Sequence, residues 1–472
     1  MRLRTSIRTV LLSASLLCLL PALDAQTTTA WAQNGFGPET FTRTTKGKNK
    51  FTRTFTLSDT SIPYTLLLEN GAGDGTDRVA KGTVTLNGVT VFGKPLVNRR
   101  FARVALALNP VAQNEIRVTI KGGSAGDFIR LSVEPTPSTV LNDPGDQAGI
   151  AVPLGVSVDQ STHRAYIADR HNDTVFEFDI GSATISRSFS GLDGDTEIGN
   201  GGTAGVTINR AAGTIVTANQ GDNTSGSIAT VDLDSESVET FSLSDSEGSI
   251  NPYYVAVNSN NNVAAFTALF ARGARRAFFI DLASGELTTR QENVTLTSLA
   301  FNPVTNQFVF TGGSNSAPSL LVYDGAAPFQ RVRQINSTAQ AGSSFEKVAI
   351  NTETNMAVAV NQQDRAVFVF DLARGEQVAR IPINTGTVTE PKADISVNPL
   401  TNQAVVTSWY LARLTVINLE TNLVMAEIPL PSGTRPQGVA IDHLSNRAVI
   451  SENGLSSGSR NGSIFVVQLP EP

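Results

Sequence analysis

One motif recurs seven times between residues 155 and 442, and its spacing restricts the folds available to this chain. Each copy alternates bulky and small apolar residues and ends on Asp or Asn. The copies are 155–159, 205–209, 254–258, 298–302, 347–351, 394–398 and 438–442. Their last residues are 50, 49, 44, 49, 47 and 44 positions apart. A period of about 40 to 50 residues made of short strands is typical of β-propeller blades.

Each copy continues as a four-stranded repeat. A second strand such as 164–168 follows the first, and the third strand usually ends on Asp or Asn, because these side chains bond their own backbone and close tight turns. The last copy stops after its third strand, at 463–469. Residues 138–141 lie where a fourth strand of that copy would be, and pairing there would cover an exposed sheet edge. We therefore predict a seven-bladed β-propeller over 138–472, closed by the strand 138–141.

The segments 153–159, 164–180 and 435–442 show the repeat most clearly. They resemble the YVTN and NHL class of β-propeller repeats, which run Pro-x-Gly-Val-Ala, a turn, a Tyr-Val-Ala strand, an Asn-rich loop and a strand closed by Asp. The resemblance extends over 138–470. It implies a propeller fold. Because such propellers occur in lactonase-like enzymes, surface-layer and surface-binding proteins and periplasmic reductases, it leaves both binding and catalysis open.

The first 25 residues have the pattern of a secretory signal peptide. Three arginines precede a short apolar stretch, and small residues place the cleavage site after Ala25 or, alternatively, after Ala32. We expect a secreted, periplasmic or cell-surface protein with no transmembrane segment in the mature chain, because no later stretch approaches 18 uninterrupted apolar residues. The single cysteine, Cys18, lies in the leader, so the mature chain would have no thiol for disulfides, metal binding or catalysis.

Residues 36–135 differ from the rest of the chain in charge and in pattern. They carry 14 Lys and Arg against 8 Asp and Glu, whereas the whole chain has a net charge of −6. Alternating segments such as 51–57 and 83–89 predict short strands with one buried face, and their number favours a small β-sandwich domain. The chain has no overall basic excess of the kind that duplex nucleic acid attracts, so no nucleic-acid partner is expected.

A propeller places the loops after each second strand and the loops between blades on one face, around the central channel. We call this the loop face. Its ligand-binding candidates are Arg170, His171, Asp222, Arg276, Arg365, Trp409, Tyr410 and Arg413. The arginines would bind a carboxylate or phosphate if they converged, although Arg at this repeat position also has a structural explanation. The aromatic pair is expected to be exposed and to stack on a sugar or an aromatic group, or else to pack its own loop.

Acidic residues at the channel mouth offer catalysis as an alternative. Glu346 and Glu390 precede innermost strands and are expected to face the channel, and Glu452 follows a second strand. Each could act as a general base in a lactonase-like or other metal-assisted hydrolase. A literal match to G-x-S-x-G at 454–458 lies between two strands rather than at a strand-to-helix turn, so it does not indicate a hydrolase nucleophile.

One loop has the carboxylate spacing of a metal site. Asp193, Asp195 and Glu197 alternate, an arrangement that can turn several oxygens toward calcium. Ile198 and Ala204 stand where a twelve-residue calcium loop requires Gly and Glu, so the match is partial. Calcium in this loop is the one cofactor that the sequence leaves open.

Two functional hypotheses follow. We favour an exported, non-catalytic binding or scaffold protein, in which the loop face holds a protein or glycan partner and the sandwich tethers or positions the molecule. This hypothesis rests on the absence of a converging acid, base and nucleophile in the sequence. The alternative is the hydrolase with its site at the channel mouth.

Overall fold

The computed structural model confirms the all-β class. It describes residues 35–108, 111–136, 140–142, 149–192, 202–221, 226–245, 248–268, 275–313, 317–384, 386, 393–453 and 462–471. Their 38 strands form nine four-stranded antiparallel sheets and one two-stranded sheet. Among these residues there is no helix long and apolar enough to cross a bilayer.

The N-terminal unit, residues 36–135, consists of two of the four-stranded sheets. Its strands are β1 (Phe36–Thr42), β2 (Asn49–Thr56), β3 (Tyr64–Asn70), β4 (Lys81–Leu86), β5 (Val89–Phe92), β6 (Arg103–Leu108), β7 (Gln113–Gly122) and β8 (Phe128–Pro135). Their orders are β1-β8-β3-β6 and β2-β7-β4-β5. Alternate residues of β3 are buried, as the two-residue period of a strand requires. Among them, Leu66 and Leu68 share one apolar cluster with Val84 and Ile116 of the other sheet, so the two sheets pack face to face.

The remaining seven four-stranded sheets are built from the sequence repeats, and we number them repeat sheets 1 to 7. Sheets 1 to 3 contain β10 (Pro153–Asp159), β11 (Arg164–Asp169), β12 (Thr174–Asp179) and β13 (Thr184–Ser190); β14 (Gly202–Asn209), β15 (Thr214–Gln220), β16 (Ser227–Asp232) and β17 (Val238–Ser242); and β20 (Pro252–Asn258), β21 (Val263–Ala268), β22 (Arg276–Asp281) and β23 (Leu287–Gln291). The short strands β18 (Ser244–Asp245) and β19 (Gly248–Ser249) pair with each other between sheets 2 and 3.

Sheets 4 to 7 repeat the same order. They contain β24 (Thr295–Asn302), β25 (Gln307–Gly313), β26 (Ser319–Asp324) and β27 (Arg331–Asn336); β28 (Lys347–Asn351), β29 (Met356–Asn361), β30 (Ala366–Asp371) and β31 (Glu376–Pro382); β32 (Ile395–Asn398), β33 (Gln403–Ser408), β34 (Arg413–Asn418) and β35 (Leu423–Pro429); and β36 (Pro436–Asp442), β37 (Arg447–Glu452), β38 (Ser463–Gln468) and β9 (Val140–Asn142).

Repeat sheet 7 takes its fourth strand from a distant part of the chain. Its first three strands are the last three of the protein, and β9 pairs with β38 so that Val140 lies opposite Val467. The sequence analysis assigned this place to 138–141. In the structure β9 is Val140–Asn142, and residues 137–139 lie outside the described part of the chain.

The repeat sheets follow one another around a closed circuit. The first strand of each sheet contacts the first strand of the next, and β36 of sheet 7 contacts β10 of sheet 1. Each neighbouring pair of sheets shares its own apolar cluster. In the cluster between sheets 7 and 1, Val449 and Ile464 pack with Ile167 and Phe178. The circular array is a β-propeller, with the first strands innermost around a channel.

A chain of side-chain hydrogen bonds links the sheets at one end of the innermost strands, and we call it the amide ring. The Asx residue that ends an innermost strand bonds a turn residue of the following sheet. Five of the links are Asn209–Asn262, Asn258–Asn306, Asn302–Asn355, Asn351–Asn402 and Asn398–Asn446, with Nδ2 to Oδ1 distances of 2.6 to 2.9 Å. The other two links join Asp159 to Arg210 (2.8 Å) and Asp442 to His163 (3.0 Å).

The turn residue of each amide-amide link is Asn for a conformational reason. These five residues have φ between 52° and 57°, the left-handed region, which Asn tolerates better than most side chains. The strand-end residue is fully buried in every such link, so its amide requires a hydrogen-bond partner. The link satisfies the Nδ2 donor of the buried amide and fixes the position of each sheet against the next.

Removing one link of the amide ring should lower the stability of the whole propeller. Asn302→Ala deletes the bond to Asn355 and the bond that the Asn302 carboxamide oxygen accepts from the N–H of Val304. We expect a loss of about 1–3 kcal/mol in the free energy of unfolding, measured by urea denaturation. Asn336→Ala, on the exposed outermost strand β27, is the matched control and should change stability little. Equal losses in the two variants would contradict a structural role for the ring.

The N-terminal unit packs on the outside of the propeller. Its edge strand β6 lies beside β35, the outermost strand of repeat sheet 6. Leu423 packs against the core of the N-terminal unit, and Ala105 packs against the core between sheets 6 and 7. Arg100 and Glu420 form an ion pair of 3.3 Å across the contact. The unit is therefore docked on one side of the array, away from the channel axis.

Candidate ligand site in the propeller channel

A cavity of about 410 Å³ lies in the channel at the end of the innermost strands that is opposite the amide ring. All seven repeat sheets contribute to its lining, through the residues that begin each innermost strand or immediately precede it. This end of the strands also carries the connections between sheets and the turns between second and third strands. The cavity therefore opens on the loop face.

One column of the sequence repeat supplies much of this lining. The first residues of the seven copies are Gly155, Gly205, Tyr254, Ser298, Lys347, Asp394 and Gly438. On one side the column has glycines because neighbouring innermost strands approach closely: a Cβ on Gly438 would lie 2.1 Å from the carbonyl oxygen of Leu154. On the other side Tyr254, Lys347 and Asp394 extend into the cavity. The channel is thus open on the glycine side and carries its functional groups on the other.

Lys347 and Asp394 form the charged centre of the cavity. The Lys347 Nζ lies 3.9 Å from Asp394 Oδ1 and 3.9 Å from the centroid of the Tyr254 ring, a cation–π contact. The Asp394 carboxylate accepts hydrogen bonds from the backbone N–H groups of Ile395 (2.7 Å) and Val439 (3.2 Å). A distance of 3.9 Å is too long for a hydrogen bond, so the ammonium group has no hydrogen-bond acceptor within the described part of the chain.

Glu346 precedes Lys347 in the chain and lines the same cavity, and its carboxyl group is only half satisfied. Its Oε2 accepts a hydrogen bond of 2.9 Å from the backbone N–H of Gln362, whereas its buried Oε1 has no partner among the residues that the structure describes. Burial raises the pKa of Glu346 to about 8, and the nearby charge of Asp364 adds to the rise, while the bond from Gln362 opposes it. At neutral pH Glu346 is therefore mainly an uncharged carboxylic acid that can donate as well as accept.

The pKa values of the other ionisable groups in the cavity shift in the directions that burial produces. Burial lowers the pKa of Lys347 and raises the pKa of Asp394, and the attraction between the two groups opposes both shifts. Burial also raises the pKa of Tyr253 and that of Tyr254, whose rings meet edge to face with centroids 4.6 Å apart. The Lys347 and Asp394 side chains are 22% and 14% exposed, so they reach cavity water while protein surrounds them on most sides.

The raised pKa of Glu346 predicts how stability depends on pH. The folded protein keeps a proton on Glu346 up to about pH 8, whereas the unfolded chain releases it near 4.5, so the unfolding free energy falls between these values as pH rises. Glu346→Gln cannot ionise. It should gain at least about 1 kcal/mol relative to wild type between pH 5 and pH 9, measured by urea unfolding at each pH.

A matched control for this measurement is Glu353→Gln, at an exposed position of a turn on the opposite face. Its stability relative to wild type should not change with pH in the same way. Parallel stability profiles for wild type and Glu346→Gln would show that Glu346 ionises normally in the folded protein.

The sequence indicated that Glu346 faces the channel, and the structure places it in the cavity lining. Arg170 is half-buried at the loop-face end of β11, where its positive charge acts on the hydroxyl of Tyr253. The half-buried His171 follows it and donates its backbone N–H to Asp169 at 3.1 Å. The Asp169 carboxylate also accepts the backbone N–H groups of Ala151 and Val152, so this aspartate organises the loop.

The other predicted arginines do not form one cluster. Arg276 begins β22 and is 5% exposed, and Arg365 is an exposed turn residue with a φ of 49°. Arg413 forms an ion pair with Glu427 and lines a second cavity of about 250 Å³, between residues 60–63 of the N-terminal unit and repeat sheet 6. Convergence of all these arginines on the channel mouth is therefore not the arrangement that the structure shows.

The aromatic pair differs from the sequence prediction. Trp409 is only 6% exposed, because it is packed into its loop with the guanidinium of Arg435 5.5 Å from its ring, while Tyr410 is half-buried. The prediction of an exposed pair was therefore wrong for Trp409. Glu452 is also buried, and its carboxylate accepts the backbone N–H of Arg435 at 3.3 Å.

Five predicted site residues lie outside the described part of the chain. They are Asp193, Asp195, Glu197, Asp222 and Glu390. The calcium loop, one loop-face candidate and one of the two channel glutamates therefore stay predictions. Within the described ranges, no three His, Cys, Asp or Glu side chains are grouped as a metal site would need.

The sequence analysis missed the residues that dominate the cavity, namely Tyr253, Tyr254, Lys347 and Asp394. Tyr254, Lys347 and Asp394 each begin an aligned repeat copy, and Tyr253 stands one position before a copy, as Glu346 does. These residues could have been recognised because three of the seven copies have glycine as their first residue, whereas these copies have a charged or aromatic residue there. A charged or aromatic residue there must enter the channel, because the strand is innermost on a propeller axis.

Comparison with known proteins supports the fold. A chain of the solved structure entitled "Crystal Structure of Mitotic Checkpoint Complex" matches with a TM-score of 0.54 and 12% sequence identity, over 71% of this chain and 93% of that chain. At this identity the likeness concerns the β-propeller architecture alone. No family model matches the sequence, and no curated protein matches it.

Proposed function

We propose that this protein is an exported, non-catalytic binding or scaffold protein, whose loop face holds a protein or glycan partner. In this proposal the seven repeat sheets are the seven blades of a propeller of the YVTN/NHL class. The observation that carries it is the cavity: seven innermost strands converge on a pocket that carries unused hydrogen-bonding groups in a largely apolar lining, at the centre of a face made of loops. A rigid β scaffold that presents loops around a pocket is a common arrangement for recognition.

The N-terminal unit has a supporting part in the proposal. We assign it as a β-sandwich that tethers or positions the molecule, because it is docked on the outer strand of repeat sheet 6 and leaves the channel axis open. Export rests on the leader-like pattern of the first 25 residues. The mass of the chain recovered from a bacterial envelope fraction tests it: we expect the protein to begin at Gln26 or Gln33.

A pair of double variants tests the binding face. Arg365→Asn with His171→Ala changes the loop face, and Val304→Asn with Leu444→Asn changes the opposite face, where these side chains are 65% and 69% exposed. Partners are first sought with the wild-type protein on a glycan array and by cross-linking in envelope extracts, and the hit is then titrated by calorimetry. We expect at least a tenfold loss of affinity for the loop-face variant alone. Equal affinities for both variants would refute the loop face as the binding surface.

A lactonase-like hydrolase is the second candidate, and one observation favours it. Glu346 is a buried acid with a raised pKa beside Lys347 and Asp394, and such perturbed groups often mark catalytic sites. Under the binding proposal, the protein does not accelerate hydrolysis of lactones or esters, with or without a chelator. Turnover that Glu346→Gln abolishes and the exposed control Glu353→Gln retains would replace the binding proposal with catalysis.

A further inference from the structure

We propose that the channel cavity binds a carboxylate carried on a compact apolar body, with the ammonium of Lys347 and the carboxylic acid of Glu346 as its hydrogen-bond donors. The inference rests on the proposed binding function, because it names the group that the propeller takes into its channel. The proposed site is the channel cavity that opens at the centre of the loop face, not the loops themselves.

The first observation is the unused ammonium group of Lys347. Its nearest negative charge, Asp394, is 3.9 Å away, and both carboxylate oxygens of Asp394 already accept backbone N–H groups. The Tyr254 ring covers one side of the ammonium. Within the described residues the three N–H donors have no acceptor. A recessed ammonium without an acceptor is unfavourable, so the cavity favours a ligand that supplies oxygen atoms.

The second observation is independent and concerns Glu346. Its Oε1 is buried and has no partner among the described residues, and Glu346 is one of the residues that line the same cavity. Because this carboxyl group is mainly protonated at neutral pH, it can donate its O–H to an oxygen of the ligand. A carboxylic acid and an ammonium, from two residues that line one cavity, are both able to donate hydrogen bonds to the oxygens of a ligand carboxylate.

Two positive and two negative groups surround Glu346, and the carboxylates of the negative pair already accept backbone N–H groups. Lys347 contributes a positive charge, and that of Arg170 acts on Tyr253 in the same lining. The negative charge of Asp394 is held by backbone N–H groups, and that of Asp364 acts on Glu346 from the neighbouring turn. Asp394 lines the cavity too, and each of its two carboxylate oxygens accepts one backbone N–H group.

The remaining lining describes the body of the ligand. It is mostly apolar and includes Leu154, Ala204, Ala268, Leu296, Phe345 and Ala393. A volume of about 410 Å³ lies within the range of small-molecule sites. The same chemistry is offered by a free organic acid and by the C-terminal residue of a peptide with an apolar side chain. The experiment has an arm for each source.

Calorimetric titration of the mature full-length protein with phenylacetate, and with a tetrapeptide that ends in leucine, tests the inference. Phenylacetamide and the C-terminally amidated peptide are the neutral controls. We expect at least one acid to bind at least tenfold more tightly than its amide. Lys347→Met should remove this preference, whereas Lys81→Met, an exposed lysine of the N-terminal unit, should keep it. Thermal unfolding establishes that each variant is folded.

The pH dependence of the affinity is a second test, and correct folding of a variant would not by itself produce it. Ionised Glu346 would repel a carboxylate, so affinity should fall about tenfold between pH 7 and pH 9, and Glu346→Gln should reduce that fall. Equal affinity for acid and amide, or an unchanged preference in Lys347→Met, would overturn the inference. So would tighter binding of benzylamine than of phenylacetate.

The outcomes separate this inference from the proposed function. If phenylacetate binds and the loop-face variant does not affect any macromolecular partner, the carboxylate site stands and the larger binding surface fails. If a partner binds through the loops and neither acid enters the channel, the proposed function stands and the carboxylate site fails. If the peptide arm alone binds, the inference holds with a chain terminus as the source.

Discussion

The architecture depends on holding each repeat sheet at a fixed position against the next around a closed circuit. Apolar packing between sheets is strong but has little directional preference, so it tolerates small slips of one sheet against another. The amide ring fixes the relative position of neighbouring sheets, because each buried strand-end residue bonds a particular turn residue of the following sheet. At two junctions the amide pair is replaced, by Asp159 with Arg210 and by Asp442 with His163, so all seven junctions have a polar link.

The two ends of the innermost strands have opposite chemical character. At the amide ring, the Nδ2 of each buried strand-end Asn donates to the Oδ1 of a turn Asn on the following sheet. At the cavity, Lys347 and Glu346 have bonding capacity that no described neighbour uses. Polar groups buried without partners lower stability, so a fold keeps them most readily where a ligand completes them. The same seven strands therefore separate the end that carries the amide ring from the end at which we propose that a ligand binds.

The repeat could be recognised from the sequence because its period, strand alternation and turn residues are local properties. The channel position of Glu346 followed from the same register. The importance of Lys347 and Asp394 could not be predicted in the same way. Aligning the copies shows which residues they share, whereas the cavity depends on residues in which single copies differ from the others. The burial of Trp409 was also missed. It depends on Arg435, which belongs to the next repeat, and no pattern within one copy reports that contact.

Pairing of Val140 with Val467 has a consequence for how the molecule is made. β9 precedes every other strand of the array in the chain, whereas its partner β38 follows all of them. Closing so long a loop has a large entropic cost, and contacts of this kind form late. A nascent chain therefore passes through a stage in which the array is an unsealed arc with two bare edges.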